Sequence, residues 1–262
     1  MTSATPAKTP VAALPAATLL LLRDGSAGLE VLMTMRHASA GFAGGAMVFP
    51  GGKVDAEDSG PGLRRAAGEA ANIAGPPFRI AAIRETYEET GILLARGKPG
   101  GELLTDAQLA SLRARHSGDF AAFAAAAGIE LATDLLTPFA HWITPADQPK
   151  RFDTQFFLAP APADQVARHD GREAVETRWV APAAAIADAD AGRIKLVFAT
   201  RLNLWKLGRS ASVAQAFEAA RRSTIVTVEP KLVETPEGPA FRIPEAADYG
   251  LTHMPVSRIR RA

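Results

Sequence analysis

The chain contains no cysteine. That absence excludes disulfides, thiolate zinc sites and cysteine nucleophiles, and it fits a reducing cytoplasm. Net charge is also scarce, since 29 Lys and Arg against 28 Asp and Glu leave a formal +1. No dense basic patch with interleaved aromatics occurs, so nucleic acid is not an expected partner. Nor does any apolar run approach the roughly 20 residues that span a bilayer, so no membrane is expected either. The start does not read as a signal peptide: Lys8 is its one early charge, Pro10 and Pro15 break the apolar stretch, and Arg23-Asp24-Gly25 follows at once. Phosphate-binding Gly-x-x-x-x-Gly-Lys-Ser/Thr, dinucleotide Gly-x-Gly-x-x-Gly and His-Glu-x-x-His patterns are missing, and the five histidines show no ligand spacing.

What is present suits a globular domain with an extension: 262 residues, 47% hydrophobic and 22% charged. Residues 1–15, rich in Ala, Thr and Pro, are expected to be disordered, with a tail ending near residue 13. Ala17–Leu22 and Leu29–Met35 read as strands around a turn at Asp24–Gly28, and Ala46–Phe49 as a short strand before a Pro-Gly-Gly turn. A short helix is expected over Leu63–Ile73, with further helices at Thr105–Arg115, capped by Thr105, and at Asp119–Ala127, ended by Gly128. Leu136–Thr144, Arg151–Ala159 and Val175–Val180 read as strands. Helices over Ala183–Ala189, Val197–Leu207 and Ser212–Arg221 follow, the last two expected to cover the core or a dimer partner. The final forty residues read as irregular, with a hairpin around Thr235–Gly238. The pattern predicts an α+β fold with a mixed sheet. Its expected domain spans 14–195, with an insertion at 59–77 and a largely helical C-terminal extension over 196–262.

The most informative stretch is residues 78–94. At 3.6 residues per turn it places Glu85, Glu88 and Glu89 on one face and Ile80, Ile83 and Tyr87 on the opposite one. At an effective dielectric of 20 and a separation near 5 Å, each carboxylate pair repels by about 3 kcal/mol before screening. Folding alone gives no reason to gather them; a hard divalent cation with oxygen ligands does. The competing reading is a solvated helix face with Arg84 as partner.

Together with the loop before it, this helix resembles the Nudix hydrolases. Arg84-Glu85-Thr86-Tyr87-Glu88-Glu89-Thr90-Gly91-Ile92 matches the second half of the family's box, with Thr86 at an apolar position. Gly52-Lys53-Val54-Asp55-Ala56-Glu57-Asp58, behind Phe49-Pro50-Gly51, matches the first half, with Asp58 where the family has Glu. Between Asp58 and Arg84 lie 25 residues instead of the family's seven, an insertion of 18. A loop lengthens cheaply, at about 0.6 kcal/mol per doubling. Such an interrupted box, with Arg151-Phe152-Asp153-Thr154-Gln155-Phe156-Phe157-Leu158 and Arg178-Trp179-Val180, is similar to the subfamily that includes the peroxisomal coenzyme A diphosphatases.

The resemblance implies an α/β/α sandwich and hydrolysis of a nucleoside diphosphate linked to another moiety, with Mg²⁺ or Mn²⁺. It assigns Glu85, Glu88, Glu89 and the Gly52 carbonyl as metal ligands, with Glu85 also a candidate general base and Arg84 holding a carboxylate in one rotamer. Asp58 either binds metal through water or pairs with Arg84. Glu173, six residues before Trp179, is an alternative base or ligand. Arg36 and Arg151 are candidate phosphate contacts, and Phe152 a candidate stacking surface. Coenzyme A or an acyl-coenzyme A is the first substrate in line, ahead of ADP-ribose or a nucleotide-sugar. A non-catalytic sensing domain is the alternative of another class, but such domains lose helix carboxylates that this chain keeps.

Overall fold

The computed structural model describes residues 11–39, 43–67, 75–116, 119–169, 171 and 173–260. Its first strands are β1 (Leu14–Gly25), β2 (Gly28–Arg36), β3 (Ala46–Val48) and β4 (Gly51–Lys53). Helices α1 (Pro61–Ala66) and α2 (Pro76–Thr90) follow. Next come β5 (Ala95–Arg96), α3 (Asp106–Arg115), α4 (Phe120–Ala127) and β6 (Glu130–Leu131). The middle of the chain supplies β7 (Thr137–Ile143), β8 (Phe152–Pro160), β9 (Ala174–Val180), α5 (Pro182–Asp190) and β10 (Lys195–Leu196). The rest forms α6 (Phe198–Leu207), α7 (Val213–Arg222), β11 (Thr227–Val228), β12 (Lys231–Thr235), β13 (Gly238–Arg242), β14 (His253–Pro255) and α8 (Val256–Arg260).

The large sheet runs β10-β3-β2-β1-β8-β7-β11, with β4 beside the first half of β1 and β9 beside β2. At its centre β1 and β8 are parallel, from Leu14 against Phe152 to Leu22 against Pro160. Both faces of β1 are covered, which is why its sequence is apolar without alternation. Leu19 and Leu21 pack with Ile80 and Ile83 of α2, whereas Leu20 and Leu22 pack with Leu202 and Leu204 of α6 and Phe217 of α7. Complete burial of a side chain such as Ile80 or Ile83 contributes about 1.5–3 kcal/mol. The result is the expected mixed-sheet α/β/α sandwich.

Three expectations are corrected. Residues 11–15 are not a free tail: β1 begins at Leu14, and Arg151 Nη1 donates to the Val11 carbonyl at 2.8 Å. Gly51–Lys53 is a short strand on β1 instead of a turn. The final forty residues are not irregular, because β12, β13 and β14 form an antiparallel sheet that includes the expected Thr235–Gly238 hairpin. The extension is thus mixed rather than largely helical. Its Tyr249 and Met254 share a core with Leu20 and Val31. In the insertion, α1 ends at Ala66, and the expected helical residues 68–73 lie outside the described ones. No helix among the described residues is long and apolar enough to cross a membrane.

Candidate metal and catalytic site

The site is built on α2. Pro76 and Pro77 open the helix, where a missing N–H costs nothing, and Gly91 closes it at φ 73°, its N–H bonded to the Tyr87 carbonyl. Arg79 fixes the first turns by donating to the carbonyls of Thr133 (2.7 Å) and Leu136 (2.5 Å). Arg113 caps the far end on the Gly91 carbonyl and also donates to the Tyr87 hydroxyl. The helix is therefore anchored at both ends before any ligand binds.

Arg84 organises the acidic face. Its Nε and Nη2 donate to the two Asp58 oxygens, Nη1 to Glu85 Oε1 and Glu88 Oε2, and Nη2 also to the Lys53 carbonyl, all at 2.9 Å. Five bonds use all five guanidinium donors. Burial works against its charge, but the surrounding carboxylates more than offset this and push its pKa upward. Asp58, fully buried on the Ala56–Ser59 turn, also accepts from the Asp55 N–H at 2.8 Å. Of its two expected roles, the pairing with Arg84 is the one seen here, and both its oxygens are used in it.

Glu85 and Glu89 converge on the glycine pair. The Glu85 carboxylate lies where a Gly52 side chain would begin: a Cβ there would be 2.4 Å from Glu85 Cδ. Glu89 Oε2 accepts from the Gly51 N–H at 3.3 Å, and its Oε1 lies 3.9 Å from Arg36 Nη1. Burial, with the neighbouring Glu85 charge, raises the Glu89 pKa to about 8. Burial likewise raises Glu85 to about 7, with Arg84 opposing and Glu88 and Glu173 reinforcing. Glu88, the most exposed of the three, shifts upward for the same first reason.

Among the described residues no three acidic or imidazole side chains already converge on one point. Arg84 turns Glu85 and Glu88 toward itself, and Glu89 faces the Gly51 N–H. The donors nevertheless suit a hard divalent ion: all are oxygens, and buried carboxylates with suppressed acidity are those that a cation would relieve. Gathering them around one ion requires Glu85 and Glu88 to rotate off Arg84.

Other expected residues fall into two groups. Glu173 is exposed, yet close enough for its charge to raise both Glu85 and Glu89. A bulge between Met35 and Arg36 shifts the β2–β9 register, and the Glu173 carbonyl accepts from the His37 N–H at 2.9 Å. Arg36, expected at a phosphate, flanks Glu89. Arg151, the other expected phosphate contact, donates to Thr144 O, Val11 O and Glu229 Oε1, so it ties β8 to segments distant in sequence. Phe152 is the expected stacking surface. It shares the parity of Phe156 and Leu158, which face α6 and α7, so it points away from the carboxylates. Sequence reasoning missed the Gly51 N–H and Lys53 carbonyl, since backbone groups leave no residue signature.

Comparison with known proteins agrees with this geometry. The model of the NUDT19 Nudix domain matches residues 72–198. The provisionally named nudix hydrolase 7 of Caenorhabditis elegans is 33% identical over 168 residues, covering 64% of this chain and 52% of that protein. The acyl-coenzyme A diphosphatase NUDT19 of Gallus gallus is 30% identical over 222 residues, covering 62% and 56%. The chain thus spans about half the length of the curated relatives it matches. A crystal structure of a NUDIX hydrolase from Alicyclobacillus acidocaldarius superposes with a TM-score of 0.67 at 28% identity, over 79% of this chain and 96% of that one. Box, fold and relatives together show that the chain resembles the Nudix hydrolases and, among them, the acyl-coenzyme A diphosphatases.

Proposed function

We propose that the chain is a metal-dependent diphosphatase acting on a nucleoside diphosphate linked to another moiety, with coenzyme A or an acyl-coenzyme A as the substrate. The observation that carries this reading is one helix face on which Glu85 lies against Gly52, Glu89 against the Gly51 N–H, and Arg84 holds Glu85 and Glu88. Retention of all three carboxylates argues against a non-catalytic sensing domain. The names of the NUDT19 relatives support the substrate class.

Glu85, Glu88, Glu89 and the Gly52 carbonyl would hold Mg²⁺ or Mn²⁺. Such an ion supplies charge neutralisation of the diphosphate and a more acidic bound water. The protein's own part is positional. Asp58 holds Arg84, and Arg84 sets the starting rotamers of Glu85 and Glu88. Glu85 accepts a proton from the attacking water, with Glu173 at the loop edge as the alternative base. The cysteine-free composition fits work in the cytoplasm, and α6 and α7 offer a surface to a second copy of the chain.

The test is a metal-supplemented screen of coenzyme A, acyl-coenzyme A, ADP-ribose and nucleotide-sugars, with product identification. Glu89→Gln should remove most metal-dependent turnover and leave the fold intact. A variant that keeps a near wild-type rate refutes the metal assignment. Preferential cleavage of ADP-ribose would replace the substrate but retain the chemistry.

A further inference from the structure

The Arg151–Leu158 segment carries part of the family resemblance, and the geometry so far uses Arg151 and Phe152 only as structural parts. Strand alternation gives its other polar residues a different place. Phe157 and Ala159 of β8 pack on the α2 side of the sheet, so Asp153 and Gln155 point to that same face. Across the sheet, Gly52 pairs with Ala17, Ala17 with Gln155, Gln155 with His141, and His141 with Thr227. Side chains in such a row share a face, and the row starts where Glu85 sits against Gly52. At about 4.8 Å between strands, Gln155 lies about 10 Å and His141 about 14 Å from Gly52. That is the reach of an extended nucleotide from its diphosphate to its base.

The polar groups are already oriented. His141 Nε2 lies 2.5 Å from Asp153 Oδ1, and His141 Nδ1 lies 2.8 Å from the Thr227 hydroxyl. A carboxylate only accepts, so Nε2 donates to Asp153, while Nδ1 pairs with the Thr227 hydroxyl, which can donate or accept. This chain holds Asp153 in one pose, its second oxygen left over among the described residues. The Gln155 amide makes no side-chain hydrogen bond among the described residues, and Gln155, Asp153 and His141 are all partly open to solvent. The row therefore offers a neutral amide edge and a carboxylate acceptor. It repels phosphate and suits a planar group with donors and acceptors on its rim.

We propose that Gln155 and Asp153, with His141 and Thr227 as positioning residues, receive the base of a nucleotide whose diphosphate lies at the α2 carboxylates. The inference rests on the diphosphatase reading and deepens it by assigning the far end of the substrate.

Calorimetric titration of the full chain with ADP and with inorganic pyrophosphate, both with Mg²⁺, tests it without turnover. Gln155→Ala and Asp153→Asn should each weaken ADP by about tenfold and leave pyrophosphate within about twofold. Equal ADP affinity in wild type and Gln155→Ala overturns the proposal, as does a wild type that binds ADP no better than pyrophosphate. If Asp153→Asn fails to fold, Gln155→Ala decides alone, since it removes no side-chain hydrogen bond among the described residues. The two readings fail separately. A chain that binds ADP through Gln155 but cleaves no diphosphate refutes the activity and keeps the subsite, whereas turnover with an unchanged KM in Gln155→Ala does the reverse.

Discussion

Two adjacent glycines are expected to respond in opposite ways to the same methyl group. In Gly52→Ala the new Cβ would lie 2.4 Å from Glu85 Cδ and 2.5 Å from both carboxylate oxygens. Ordinary carbon contacts begin near 3.5 Å, so the carboxylate must retreat by about 1 Å. It is the end of a flexible side chain, and the stability loss should stay near 1 kcal/mol, or a melting shift of about 2–4 °C. The same displacement of a reacting group lowers turnover by on the order of 10²-fold. In Gly51→Ala the Cβ would lie 2.4 Å from the Ala17 carbonyl and 2.7 Å from Thr18 Cα, at φ 154°. Backbone cannot retreat, so overpacking and strain should together cost about 3 kcal/mol or more. The assay pairs differential scanning calorimetry with steady-state turnover on the substrate identified by the screen. A Gly52→Ala enzyme with near wild-type turnover, or one as destabilised as Gly51→Ala, would refute the placement of Glu85.

Asp58→Ala leaves the buried Arg84 charge short of its two-oxygen partner, and chemical denaturation should register a loss of about 3–5 kcal/mol; a loss under about 1 kcal/mol would contradict the pairing. Glu85 and Glu89 have folded pKa values of about 7 and about 8 against 4.5 unfolded, so the folded state binds more protons between those limits. The metal-free protein should therefore be most stable below about pH 4.5 in this respect and lose stability as pH rises to 8, with a ceiling of ~5 kcal/mol from Glu89. Millimolar Mg²⁺ should reverse that slope, and metal-free melting curves that rise with pH over this window would contradict it. Tyr249 accepts from Trp142 Nε1 at 2.8 Å and donates to Asn203 at 2.7 Å, so Tyr249→Phe should cost about 1–3 kcal/mol in denaturation; an unchanged midpoint would show that the link is idle.

The α2 face was legible because three- and four-residue spacings map directly onto one side of a helix. The glycine pair was legible because few other residues let a carboxylate approach the backbone so closely. Asp58 was readable only as two alternatives, since a loop acid behind an insertion has no periodicity to tell inward from outward. The partners of Arg151 were illegible for a related reason: an arginine suits a phosphate and a carbonyl cluster equally well, and Val11 and Glu229 are distant in sequence. Of the C-terminal sheet only the Thr235–Gly238 hairpin was legible, because β12, β13 and β14 have three to five residues each, too few to show alternation, and depend on pairing for their form.

The parallel seam between β1 and β8 has a consequence for how the protein comes to exist. Position 14 meets position 152, 138 places further along, and α2 lies between them. On a growing chain the sheet cannot close until β8 has been made. Until then Glu85, Glu88 and Glu89 face water without the scaffold that concentrates them. Contacts of such long range slow folding toward the millisecond-to-second regime. The site that binds the ion should therefore form only after β8 has been made, and metal captured during synthesis should act on a chain that already extends past residue 160.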